Sequence, residues 1–343
     1  MGQIAIIGLD LAKSVFQVHA VDANRNTVLK KKLRRPEILG FFAELPPCVI
    51  AMEACASSHY WARELEKLGH TSRIIPAQYV KPFVMRGKSD VVDAEAITVA
   101  AMQPGMRFVR AKSLDQQAIV VLVKTRAFLL RQRSNAVNSL RGQMAEFGVI
   151  SGTGHANLKP LISVLRDEQD KRLPNAVRTA LLVILDQIEA FNNNIEALEK
   201  DIVAHGRTDD EIRRLLSVPG VGSIVASAIK AFVPDPAGFR SARHFASWLG
   251  LTPRSNSSGG KQSSGRISKM GNKDLRALLV MGACSTLRWV QKRGTDQSWA
   301  GRLLRRRPFK VTAVALANKT ARIIWAILNK GGIYDAHPRP EPI

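Results

Sequence analysis

Apolar residues dominate from Ile4 to Leu9 and stop at Asp10, and from Val15 to Val21 apolar and polar positions alternate. The first pattern suits a strand buried on both faces and the second a strand buried on one. Asp22-Ala23-Asn24-Arg25-Asn26 supplies turn chemistry before a third strand-like stretch from Thr27 to Leu33, so the three read as a meander. Pro36 is a good first helical residue and opens a helix to Leu45. Cys48 to Met52 then reads as a short buried strand, Ser57 to Leu68 as an amphipathic helix, and Ser72 to Ile75 as a strand followed by another helix. This order predicts a mixed sheet flanked by helices.

After residue 113 the strand signals stop. Leu114 to Phe147 and Asn175 to Ala204 carry apolar residues three and four apart, among them Leu181, Ile184, Leu185, Ile188, Ile195 and Ile202. They read as the paired arms of a helical hairpin, with Ser151-Gly152-Thr153-Gly154 as a loop between them. Such arms are packing or dimerisation elements more often than active sites. A third region holds Val218-Pro219-Gly220-Val221-Gly222, an apolar helix through Ile229, a glycine- and serine-rich stretch from Ser255 to Gly265, and helices over Asn272 to Val290 and Val311 to Asn329. The expected division is 1–112, 113–208 and 209–333, with a proline-rich tail over 334–343 read as disordered.

Charge changes the picture more than composition does. The 343 residues are 45% hydrophobic, as in a globular protein, but carry a formal charge of +23. An excess of that size favours a polyanion as partner, nucleic acid first and an anionic membrane surface second. From Phe239 to Lys330 nineteen Lys and Arg residues face only Asp274 and Asp296, where a merely solvated surface would mix both signs. Three cysteines without metal-ligand spacing suit a reducing compartment. The N-terminus runs directly into a strand, and no stretch of about 18 consecutive apolar residues occurs. The chain is therefore read as cytoplasmic, with no membrane partner.

Asp10 and Glu53 each follow an apolar run and so stand at strand ends, while Asp90 and Asp93 are three apart and share a face at a helix start. Four carboxylates at one sheet edge repel one another unless a divalent cation neutralises them, and oxygen-rich sites of this kind select magnesium or manganese. Two such ions about 4 Å apart hold both oxygens of a phosphodiester displacement. Singly, each acid also suits a blander role: Asp90 as an N-cap, Asp93 as a first-turn acid, Asp10 as a turn former, Glu53 as a surface acid. Together, in so basic a chain, they favour a metal.

The segments Gly8-Leu9-Asp10-Leu11-Ala12-Lys13, Met52-Glu53-Ala54-Cys55 and Lys88-Ser89-Asp90-Val91-Val92-Asp93-Ala94 resemble the three signatures of the DEDD transposases of insertion-sequence family one-ten, the bridge-RNA-guided recombinases. Cys55 to Arg63 is most similar to that family's eleven-eleven branch. The resemblance covers nearly the whole chain. It implies an α/β RuvC-like (ribonuclease-H-like) domain, a helical hairpin and a mostly α-helical C-terminal transposase domain. It also implies donor and target DNA as substrates, a structured non-coding guide RNA, and a homo-oligomer, a dimer of dimers, in which one protomer's carboxylates meet another's serine.

The same resemblance gives chemistry to the C-terminal region. Val218 to Gly222 looks like a helix-hairpin-helix turn, whose Gly220 and Gly222 would let backbone amides meet phosphate, although a plain helix-linking turn fits as well. Leu251-Thr252-Pro253-Arg254 aligns with the family's serine loop and places the nucleophile on Ser258, with Ser257 as the minority candidate. Ile267-Ser268-Lys269-Met270-Gly271-Asn272 and Leu275-Arg276 continue the pattern. Arg254, Lys261, Arg266 and Lys269 are the candidate phosphate contacts. Two rival functions stay open at this point: a metal-dependent Holliday-junction-type nuclease in which water attacks, and a non-catalytic nucleic-acid-binding protein.

Overall fold

The computed structural model describes residues 3–85, 89–256, 263–294 and 298–335. Ser257, Ser258 and Lys261, as well as Lys88, Asp296 and the tail from residue 336, lie outside the described residues. The chain forms two compact units that meet in sequence between Leu114 and Asp115.

The first unit is built on β1 (Ile6–Asp10), β2 (Val15–Val21), β3 (Thr27–Arg34), β4 (Val49–Glu53) and β5 (Thr71–Ile75), in the spatial order β3-β2-β1-β4-β5. Short turns make β1, β2 and β3 antiparallel neighbours. The crossovers through α1 (Ile38–Ala43) and α2 (Ser58–Lys67) make β4 parallel to β1 and β5 parallel to β4. This mixed sheet with helices on both faces is the expected ribonuclease-H-like arrangement.

Strand parity decides what each face receives. Ile7 and Leu9 of β1, with Ile50 and Met52 of β4, pack with Ile38, Phe42, Trp61 and Leu65 of α1 and α2. Ile6 and Ala51 face the other way and pack with Ala96, Ile97 and Ala100 of α4 (Asp90–Ala101), which follows the short α3 (Ala77–Val80). Gly8 shares the parity of Ile6. A methyl group built on it would run into the Thr98 hydroxyl and the Ala94 carbonyl and come within 2.8 Å of the Thr98 nitrogen. Helix α4 therefore lies directly on the β1 backbone. Thr98 is also tied to β2, its hydroxyl 3.0 Å from Nδ1 of the buried His19.

In the second unit, α5 (Leu114–Ala145) and α7 (Asn175–Gly206) run antiparallel. Arg126 donates to Glu199 at 2.7 Å and Arg133 to Asn192 at 2.9 Å. Between them Val137, Leu140 and Met144 bury against Leu181, Leu185 and Ile188, joined by Leu161 and Leu165 of α6 (Lys159–Arg166). Buried Arg178 donates to the carbonyls of Val164, Leu165 and Asp170, satisfying the end of α6 and the turn beyond it. The remaining elements are α8 (Asp210–Leu215), α9 (Ser223–Phe232), α10 (Ala242–Trp248), β6 (Pro253–Ser255), β7 (Ser264–Ile267), α11 (Lys273–Lys292), α12 (Trp299–Leu304) and α13 (Phe309–Lys330). Among the described residues α13 alone is long and apolar enough to cross a membrane. Its Ala317, Ala321 and Ile324 instead sit in the core with Phe245 of α10 and Leu279 of α11, so it packs as a core helix.

Candidate functional site

The acidic cluster follows from the same parity. Asp10 is two residues beyond Gly8 and shares the face that receives α4, and Glu53 is two beyond Ala51 on the neighbouring parallel strand, where Leu9 pairs with Met52. Helix α4 points its first turn at these strand ends. Ser89 caps it by accepting from the Val92 amide at 3.4 Å, so Asp90 is not the N-cap. Carboxylate oxygens of Asp10, Asp90 and Asp93 lie within 4.8 Å of one another. Glu53 is close enough for its charge to act on Asp10 and for Asp93 to act on it.

The cluster is electrostatically unfavourable as it stands. No ion pair among the described residues engages any of the four acids. Burial, reinforced by the charges of Asp93, Asp90 and Glu53, pushes Asp10 up to about 6. Burial and then Asp93 push Glu53 upward as well. Three hard oxygen donors converging with no paired counter-charge among the described residues fit a divalent cation such as magnesium or manganese.

The raised proton affinity of Asp10 fixes a sign. The folded chain holds this proton more tightly than the unfolded one. Asp10 therefore contributes stability to the metal-free first unit that grows as pH falls through about 6 toward 4 and is lost as pH rises back through that window, while buried His19, whose proton affinity is lowered, contributes with the opposite sign. A cation must displace the proton. Its apparent affinity is expected to be flat above pH 7 and to fall about tenfold per unit below pH 6, measured by calorimetric titration with magnesium or manganese; an affinity unchanged from pH 7 to 5 would exclude Asp10 as a ligand.

In the second unit β6 and β7 form a hairpin in which Pro253 pairs with Ile267 and Ser255 with Ser264, and the Asn256 amide donates to the Ser263 carbonyl at 2.9 Å. Residues 257–262, with Ser258 and Lys261, connect its two strands in sequence. The root of this hairpin is held by Arg276 of α11, which donates to the carbonyls of Leu249 at 3.0 Å and Met270 at 2.8 Å. Arg254, on β6, donates to the Ser268 carbonyl at 3.2 Å, and Arg254, Arg266 and Lys269 are all exposed. The sequence placed Arg276 in the family pattern but carried no sign of its anchoring role, since a basic residue in a basic helix holds no local signal of the carbonyls it will reach.

The two glycines of the candidate hairpin turn have different surroundings. Gly220, at φ +82°, lies against α11, where an added methyl would come within 2.7 Å of the Gly282 carbonyl and the Thr286 hydroxyl. Packing alone accounts for a glycine there. Gly222 has open space around it and precedes the first turn of α9 with no side-chain cap, so that helix start keeps amides for an external acceptor.

Residues 7–148 match a family model described as a transposase, the DEDD domain of IS110 elements, and residues 212–298 match the one described as the transposase IS116/IS110/IS902 family. The chain is 46% identical over 330 residues to the "Probable family 20 transposase" of Pseudomonas aeruginosa, covering 96% of this chain and 98% of that protein. It is 38% identical to the transposase for insertion sequence element IS1328 of Yersinia enterocolitica, covering 97% and 99% of the two chains. It is 33% identical to the transposase for insertion sequence element IS1111A of Coxiella burnetii, covering 97% and 92%.

Proposed function

Because the chain belongs to the IS116/IS110/IS902 family of DNA transposases, we propose that it cuts and rejoins insertion-sequence DNA by transesterification, with Ser258 as nucleophile and Asp10, Glu53, Asp90 and Asp93 as the ligands of a divalent metal. The observation that carries this reading is the convergence of three carboxylates within 4.8 Å on the strand-end face. A magnesium ion held there, or manganese in its place, supplies positive charge against the charge that accumulates on the scissile phosphate.

The protein's own groups account for the rest. The Ser258 oxygen bonds to phosphorus, the bond from phosphorus to the 3′-oxygen breaks, and the serine proton passes through solvent to the departing 3′-oxygen. The products are a phosphoserine diester and a free 3′-hydroxyl. Rejoining reverses the step, with the 3′-hydroxyl of another strand end as the attacking group. No bond is spent on hydrolysis. Arg254, Lys261, Arg266 and Lys269 hold phosphate oxygens near the hairpin, and the amides after Gly222 receive a phosphate at the start of α9. Gly220 serves that turn by letting it seat on α11.

The reading extends to partners. Donor and target DNA are selected by a structured non-coding RNA through base pairing, in a cytoplasmic dimer of dimers in which the carboxylates of one protomer and the serine of another act on the same phosphate. The large positive charge supports two nucleic acids in one complex.

The experiment is adduct formation. Purified protein, the element's end DNA and the transcript of its flanking region are incubated with magnesium, and denaturation-resistant protein–DNA conjugates are counted. Chelation by EDTA and Asp10→Asn are each expected to reduce the conjugate by at least about a hundredfold, with DNA binding kept within a factor of a few. Full conjugate yield in EDTA would remove the metal from the mechanism. Free cut ends without a conjugate would favour the water-using nuclease, and binding without cutting the non-catalytic alternative.

A further inference from the structure

The five tryptophans fall into two groups. Trp61 is buried against Phe16, Trp248 packs with Phe239 and Phe245, and Trp325 donates its indole N–H to the Pro236 carbonyl at 3.1 Å. Each of these has a place in the fold. Trp289, on the last turns of α11, is 52% exposed, and Trp299, at the start of α12, is 37% exposed. Each exposed ring carries a cation on one face: the Arg293 guanidinium is 4.1 Å from the Trp289 ring centre, and Lys319 Nζ is 4.9 Å from that of Trp299.

Fold stability does not ask for this arrangement. A half-exposed indole keeps much of its apolar surface in water, and surface tryptophans concentrate where they bind something. The surroundings say what. Arg288, Lys292 and Arg293 are exposed beside Trp289, and no acid among the described residues pairs with Arg293. Asp274 is the only acid described from α10 to α13, and it lies in the first turn of α11, while Trp289 is near its other end. A neutral protein surface would use the aromatic but not so one-sided a charge, and an acidic one would use the charge without needing an open ring face. Flat aromatic faces interleaved with cations match a strand whose bases are unpaired, because every base offers a face to stack on and every linkage a negative charge. A closed duplex offers phosphates without free base faces.

We propose that Trp289, backed by Arg293, is a stacking platform for an unpaired nucleobase, with Trp299 over Lys319 as a second and less open one. The platform rests on the reading of the second unit as a nucleic-acid-binding region and narrows its ligand to single-stranded or looped segments. Guide RNA and locally opened DNA share this chemistry.

The test uses the full-length protein and labelled 20-nucleotide oligomers of one sequence as single-stranded DNA, single-stranded RNA and blunt DNA duplex, at one salt concentration. Trp289→Ala is expected to weaken single-strand binding about 5- to 100-fold while changing duplex binding less than twofold. Trp289→Phe keeps most of the affinity but loses part of the tryptophan quenching that accompanies single-strand binding. A larger loss on the RNA arm identifies guide RNA as the source of the unpaired base, and a larger loss on the DNA arm identifies an opened strand; either supports the platform. Equal losses on single strand and duplex, or no loss on either, overturn it. Unchanged thermal melting of the variants keeps a folding defect from imitating the effect. The serine adduct reports separately: Trp289→Ala that fails here while the parent forms the adduct overturns the platform alone, whereas a parent that forms no adduct but shows the selective loss overturns the transposition chemistry alone.

Discussion

Ser258→Ala is expected to remove the denaturation-resistant protein–DNA conjugate and to lower strand exchange by at least about a thousandfold, while melting temperature and DNA affinity stay near those of the parent. The substitution deletes one oxygen, and that oxygen is the atom bonded to phosphorus in the proposed intermediate. The described strands on either side in sequence, β6 and β7, are held by their own pairing, and Arg276 ties together the segments that flank them. In the proposed reading affinity rests on cations that the change leaves in place, Arg254, Arg266 and Lys269 among them. Conjugate and exchange are measured with metal present, so loss of both with binding intact separates a missing nucleophile from a missing substrate. If Ser258→Ala forms the conjugate at the parental rate, the nucleophile is elsewhere. Ser257→Ala, made in parallel, then decides whether the adjacent hydroxyl carries the reaction.

The strands of the first unit were legible because each is a run of apolar residues with one parity. Ile7 and Leu9 face one layer of helices and Ile6 and Gly8 the other, and this alternation also carries Asp10 and Glu53 to the same face. Asp90 and Asp93 were legible as a helix-start pair. What the sequence left open was which residue caps that helix, and the Ser89 hydroxyl on the Val92 amide frees Asp90 from the capping role. The long arms α5 and α7 were visible because a period of three and four persists over many turns.

Short elements were not legible. Neither β6, with three residues, nor β7, with four, is long enough to establish a period, so Ser255 to Gly265 read only as a glycine- and serine-rich stretch although its two ends are paired strands. The roles of Gly220 and Arg276 depend on what α11 and the end of α10 bring beside them, and no local pattern encodes a neighbour distant in sequence. Trp289 gave no signal for the same reason. An aromatic in an apolar helix looks like core until the structure shows which face of α11 is buried.

Gly8→Ala is the remaining substitution with a large expected effect, and it tests how the acidic cluster is built rather than which acids belong to it. Gly8 is not among the residues with positive φ, so its backbone makes no demand for glycine. The demand is space. An alanine methyl would overlap the Thr98 hydroxyl and the Ala94 carbonyl of α4, and the carbonyl belongs to a helix backbone that cannot rotate away. The helix must lift or the sheet must bend. Overpacking of this kind costs about 1–3 kcal/mol, which for a domain of this size lowers its melting temperature by roughly 5 to 20 °C. The second consequence is the informative one. Asp90 and Asp93 ride on α4 and Asp10 stays on β1, so lifting the helix separates carboxylates whose oxygens now lie within 4.8 Å. A displacement of about 1 Å is enough to cost up to a hundredfold in function, and divalent-metal affinity and conjugate yield are expected to fall together even below the new melting temperature. Adding Thr98→Ala removes one of the two overlapping groups and restores part of the stability, not all, because the Ala94 carbonyl remains. Gly142→Ala, on α5 where an added methyl meets nothing within 4 Å, is the control and is expected to melt at or slightly above the parent. If Gly8→Ala melts and binds metal like the parent, α4 does not rest on β1, and the parity argument that brings Asp10, Asp90 and Asp93 together loses its physical basis.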